Sequence, residues 1–256
     1  MLAAIRSHLL LLAAVGLVCG SGPAGATDPH AMARKSWNGC YVGANAAAAR
    51  ADVAAADSPF TDGPFAGTGF SWNSSGPNYE TIDMNNAGAS VGIEAGCDVE
   101  LPGTLPFIVG GVVDFSLLDI SGDGQSALYS DTKTRYDIDW ASSLRARVGL
   151  EAGEILFFGS GGLALANINV RAFDNATAPT FGRMDVSGGG STIGWAAGLG
   201  AEWRAKPNLS LSIEYLHYDF GSVTATGPAF EPVGAFPRFE NDVRLDTIRV
   251  GLKWRM

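Results

Sequence analysis

The feature that most constrains this chain is strict two-residue alternation. From Ala89 to Glu100, residues Ala89, Val91, Ile93, Ala95, Cys97 and Val99 fall on one face, and Ser90, Gly92, Glu94, Gly96, Asp98 and Glu100 on the other. Successive side chains of an extended strand point to opposite sides, so this period predicts a strand with one apolar face. The pattern recurs in Ile138 to Leu150, Ile193 to Arg204 and Ile248 to Met256. Four less regular segments complete a set of eight: Trp37 to Ala48, Phe107 to Leu117, Ile155 to Ala166 and Leu209 to Phe220. At roughly ten to fourteen residues, they are near or above the ~9–11 that a tilted strand needs to cross a bilayer.

The connectors alternate in length. Leu101 to Pro106, Glu151 to Glu154 and Ala205 to Asn208 are short and rich in turn residues. Arg50 to Asn86, Leu118 to Tyr136, Asn167 to Ser191 and Gly221 to Arg244 are long and rich in Gly, Asn, Ser and Asp. Short turns on one side and long loops on the other are the asymmetry of outer-membrane barrels. A soluble eight-stranded barrel such as a lipocalin shares the alternation. The polarity of the faces separates the two: small residues and a few charges suit the narrow inside of an eight-stranded barrel, and a bulky apolar face suits lipid. Trp195 and Trp203 lie eight residues apart on that face, roughly 20 Å along the membrane normal at ~3.3 Å per residue and ~40° tilt. The expected aromatic girdles are Trp140 and Trp195 at the outer interface and Trp203 and Trp254 at the periplasmic one.

The first 26 residues read as a signal peptide: Arg6 in the n-region, an apolar run from Leu9 to Val18, and Ala24-Gly25-Ala26 as the cleavage site. The run is too short to span a membrane as a helix, and Val18 is larger than the residue that lipoprotein processing at Cys19 requires. Removing the signal leaves 16 Lys+Arg against 26 Asp+Glu. An acidic chain without a Lys/Arg-rich run argues against nucleic-acid binding. With 46% hydrophobic residues and three cysteines, the chain is neither disordered nor a disulfide scaffold. The expected organisation is a signal peptide over 1–26, a short segment over 27–36, and an antiparallel, up-and-down, all-β transmembrane barrel over 37–256 with four long extracellular loops. Both termini are expected in the periplasm.

Four segments also resemble a known family. Trp37-Asn38-Gly39-Cys40-Tyr41-Val42-Gly43-Ala44-Asn45 is similar to its opening W-x-G-x-Y-x-G-x-N strand, and Leu144 to Gly149 to its central strand. Gly194 to Glu202 resembles its G-W-x-x-G-x-G-x-E strand, and Glu214 to Gly221 its E-Y-x-Y-x-D-x-G strand. The family is the small outer-membrane β-barrels of alphaproteobacteria, called outer membrane immunogenic proteins or the porin family and related to the OmpA transmembrane domain. The resemblance implies a structural or surface role in the cell envelope, with weak pore activity in many members. Such barrels usually end in an aromatic residue read by the assembly machinery, whereas this chain ends Trp254-Arg255-Met256. The expected partners are outer-membrane lipid and lipopolysaccharide, the barrel-assembly machinery, and host or environmental molecules at the loops.

The residues that carry chemistry are charges on the narrow face: Glu94, Asp114, Arg145, Arg147, Glu202, Glu214 and Arg249, with Asp98, Arg204 and Lys253 nearer the periplasmic mouth. Isolated charges in a poorly hydrated lumen cost several kcal/mol each, so pairing across it is expected. The expected pairs are Glu214 with Arg249, and Glu94 with Arg145 or Arg147. They form either a static plug or a gate whose salt bridges exchange before ions pass. Cys40 and Cys97 share the apolar face at the same end, as a disulfide or as two small lipid-facing hydrophobes. His217 has no serine nucleophile in the pattern of lipid-modifying barrels, so no catalysis is expected. Asp119 to Gly124 opens like a calcium loop but meets Ser130 where the bidentate Glu belongs, so it reads as a polar surface turn. Neither a metal nor another cofactor is expected.

Overall fold

A computed structural model describes residues 36–256 except 75, 77, 104–105, 176–181 and 231–233. The expected signal peptide and nearly all of segment 27–36 lie outside the described residues. Eight strands follow in order: β1 (Gly39–Ser58), β2 (Thr81–Glu100), β3 (Phe107–Gln125), β4 (Thr132–Ala152), β5 (Ile155–Asp174), β6 (Asp185–Lys206), β7 (Leu209–Thr226) and β8 (Arg238–Arg255). Each pairs antiparallel with its sequence neighbours, and β1 pairs with β8, so the sheet closes as an up-and-down ring without an edge.

The strands are 18–22 residues long, well beyond the expected ten to fourteen. At ~3.3 Å per residue and ~40° tilt they rise roughly 50 Å, about twice the ~25 Å apolar band of an outer-membrane barrel. The extra length lies at the loop end and shortens all four expected loops, of which the first, 59–80, remains long. Most of Leu118 to Tyr136, Asn167 to Ser191 and Gly221 to Arg244 is strand, as are 50–58 and 81–86 at the two ends of the first expected loop; Asp119 to Gly124 is strand and not a surface turn. The true connectors are 59–80, 126–131, 175–184 and 227–237.

Halfway up, the barrel reverses its polarity. In the turn half, Leu144, Leu163, Ile193, Leu199, Ile213 and Val250 point outward and are more than half exposed, while charges and small residues fill the inside. In the loop half, Arg50, Asp83, Arg135 and Arg171 lie outward. There the inside is an apolar core that includes Val53, Met84, Tyr136, Ile168, Val170, Phe220, Phe239 and Leu245. Two bulges adjust the alternation at this boundary. One lies at Asp139 and Trp140 in β4, and it turns Ile138 inward although Trp140 stays outward. The other lies between Asp219 and Ser222 in β7, where Gly221 takes φ +64°, a left-handed conformation that glycine adopts without strain.

Candidate functional site: the filled lumen and its cap

The lumen holds three layers. At the turn end, Trp37 is fully buried against Ile108 and Leu156. The Arg204 guanidinium lies 4.0 Å from the centre of its ring and the Arg255 guanidinium 5.3 Å away. Arg255 Nη1 also donates to the Trp37 carbonyl at 2.5 Å. A cation held against an aromatic face in a desolvated setting is worth about 2 kcal/mol, so the indole both stoppers the mouth and pairs with the arginines.

Above this lies a layer centred on Glu202. It accepts from Arg147 at 2.7 Å, Lys253 at 3.3 Å, Arg255 at 3.4 Å and the Ser210 hydroxyl at 2.6 Å. Asp98 takes Arg255 at 2.9 Å, and Glu94 pairs with Lys253 at 3.5 Å. Arg147 also donates to the Tyr41 hydroxyl at 3.0 Å. Tyr41 reaches this position because residue 96 is glycine: a Cβ there would stand 2.5 Å from the phenol oxygen.

A second polar layer follows. Arg145 spans from Asp114 at 3.0 Å to Glu214 at 2.5 Å and bonds to Ser143 and Ser160 on the way. Arg249 reaches Asp114 at 3.0 Å and donates to Tyr218. Among these groups, Glu94, Asp98, Asp114, Glu202 and Glu214 are matched by Arg145, Arg147, Arg249, Lys253 and Arg255. All ten are at most 8% exposed.

Every expected lumen charge faces inward, but the expected pairs are corrected. Glu214 sits directly across from Arg249 in the β7–β8 register, yet it bonds to Arg145, while Arg249 bonds to Asp114 on the far wall. Glu94 bonds to Lys253 rather than to Arg145 or Arg147. The reason is reach. A guanidinium on its three-carbon stem spans a narrow lumen, so facing strands compete with adjacent ones, and strand register alone does not pick the partner. Arg255, Tyr41, Tyr218 and the serines were missed as members, although parity along their strands places each on the inner face.

Elsewhere, Cys40 and Cys97 are register partners on the outer face and are joined by a disulfide. Trp195, Trp203 and Trp254 are about half exposed on the outside, and Trp140 stacks on Phe115 at 5.8 Å. His217, also outward, has its Nδ1 2.7 Å from Asp246 and its ring 5.3 Å from that of Trp195.

The loop end is capped by segment 59–80, whose Phe60 joins the apolar core, with Phe65 and Trp72 packed against it. The cap is fastened through Asp57, which accepts from the Ser71 hydroxyl at 2.5 Å and from the N–H groups of Trp72 at 3.1 Å and Asn73 at 2.8 Å. Burial outweighs these bonds and pushes its carboxyl up to about 6. Glu80 adds a second fastening by accepting from Ser126 and from the Ala127 N–H, each at 2.5 Å. Beneath the cap lies a cavity of about 340 Å³.

Comparison with known proteins agrees with this architecture. The chain is similar over 87% of its length to OprG from Pseudomonas aeruginosa, with 99% of that chain covered, 12% identity and a TM-score of 0.51. Neisserial surface protein A aligns over 85% of this chain and 97% of its own at 14% identity and TM-score 0.41. The Yersinia pestis attachment invasion locus protein, Ail, aligns over 86% and 99% at 12% and 0.36. No curated protein sequence matches the chain. The family described as outer membrane protein beta-barrel domain matches residues 11–255. The chain belongs to that family, and its place is the bacterial outer membrane.

Proposed function

We propose that the protein is a non-conducting post in the outer membrane that raises a recognition surface above the lipid, with both chain termini on the periplasmic side and the cap outside. The observation that carries this reading is the filling of the lumen: stopper, two neutralised ionic layers, apolar core and cap follow one another along the axis. A selective pore would call for a continuous gap lined by unpaired charge of one sign. The four strand motifs named above support membership of the alphaproteobacterial immunogenic-protein or porin group within the family. Lipopolysaccharide, the assembly machinery and host or environmental molecules at the cap are the partners this role implies. The reading assigns no catalysis: the His217–Asp246 pair faces lipid, and its strand neighbours include no serine nucleophile.

Single-channel recording of the refolded mature protein in a planar bilayer tests it, with Glu214→Ala and Arg249→Ala alongside. Silence from all three is expected. Discrete steps that grow when either charge is removed would replace the post with a gated pore.

A further inference from the structure

We propose that the cavity under the cap binds a quaternary ammonium group, a refinement that rests on the cap being the recognition surface. The walls of the cavity include Phe60, Phe65, Phe70, Trp72 and Tyr129, and its polar lining includes Asp131 and Asp174. Aromatic faces carry negative charge density and attract a cation placed over them, most strongly where water is excluded. A carboxylate in the same lining selects charge over mere hydrophobicity.

Two observations narrow the class. First, the described residues of the segments that close this end (within 57–80, 126–131, 174–184 and 227–237) include five acids, Asp57, Asp62, Glu80, Asp131 and Asp174, and a single cation, Arg183. That guanidinium already lies over the Phe230 ring at 5.6 Å. The cap thus has an excess of negative charge that an external cation complements. Second, Asp174 accepts from the Thr132 hydroxyl at 2.8 Å, from the Met184 N–H at 3.0 Å and from the Trp72 side chain. A carboxylate has about four acceptor sites, so most are taken. What remains is its charge, which suits a cation that donates no hydrogen bonds. A volume of about 340 Å³ sits at the small end of ligand pockets and matches a compact head group rather than a polymer.

The test is calorimetric titration of the refolded full mature protein with choline, with its neutral carbon isostere 3,3-dimethylbutan-1-ol, and with phosphocholine. Choline is expected to bind, the isostere about tenfold or more weaker, and phosphocholine weaker than choline because the acids repel its phosphate. Tyr129→Leu, at an exposed ring whose loss leaves the core intact, should weaken choline about three- to tenfold, and Asp174→Asn at least as much. Gel mobility of the unheated protein checks that both variants fold. Equal binding of choline and isostere would overturn the assignment, as would tighter binding of phosphocholine, which would point to a lipid head group read through its phosphate. Absence of binding at millimolar choline would also overturn it. The conductance experiment reads the lumen and not the cap, so the two proposals fail separately.

Discussion

The membrane half and the loop half of this barrel use the same strands and the same alternation with opposite polarity. Around the membrane half the surroundings are hydrocarbon, so bulky apolar side chains face out and the inside is free to be ionic. Around the loop half the surroundings are water. There the outer face is polar and the inside is an apolar core of the kind found in soluble barrels. Alternation therefore specifies a strand, while the medium outside decides which face is apolar. A single ring can pass from one medium to the other, and here two bulges adjust facing at the boundary.

The comparison can be broken most severely from the ionic side. Arg145→Ala removes the group that joins Asp114 and Glu214 and leaves buried carboxylates without it; a loss of about 3–5 kcal/mol is expected in denaturant unfolding from vesicles. The same experiment on Ile168→Ala, fully buried in the loop half, should cost about 2–5 kcal/mol through the cavity it leaves. An added charge sharpens the contrast between the two outer faces. Leu199→Arg in the membrane half should cost about 2–4 kcal/mol, whereas Ser187→Arg on the exposed face of the loop half should stay within about 0.5 kcal/mol. Equal costs at the two sites would erase the boundary between the halves.

The last effect concerns the cap and depends on pH. Asp57 is held up to about 6, above its unfolded value of 3.8, so the folded protein binds its proton more tightly. Its contribution to cap stability is fully present below about pH 4 and is lost as pH rises through about 6, by an amount on the order of 3 kcal/mol. Hydrogen exchange of the 71–73 amides across that window should show faster opening at the higher pH, after correction for intrinsic exchange. Asp57→Asn should flatten the trend.

The membrane half was legible in the sequence because its two faces differ sharply: Val91 and Ile93 against Gly92 and Glu94 leave little choice. The loop half was not. Its strands put alanine or glycine where contrast would be needed, as in Ala49, Ala51 and Ala55 of β1, and its Asn, Asp and Gly content imitates loop composition. Ile138 illustrates the second obstacle. Placed with Trp140 by parity, it turns inward because a bulge intervenes, and no residue preference announces a bulge at Asp139. The lumen charges were readable one strand at a time, but Glu214 finding Arg145 rather than Arg249 depends on the width of the ring, which no local pattern encodes. Asp57 and the cavity were out of reach for a further reason: they exist only once 59–80 has folded back over the opening.

The corner where β1 meets β8 has a mechanical consequence. Arg255 donates to the carbonyls of Trp37 and Gly39, the Met256 N–H bonds to the Cys40 carbonyl, and Cys40 is covalently tied to β2. A tug on either end of the barrel domain is therefore resisted by three strands at once, and the seam cannot be peeled from its terminal corner one rung at a time. If the ring ever parts between its first and last strands, the tear starts at the opposite rim and runs downward toward this hem.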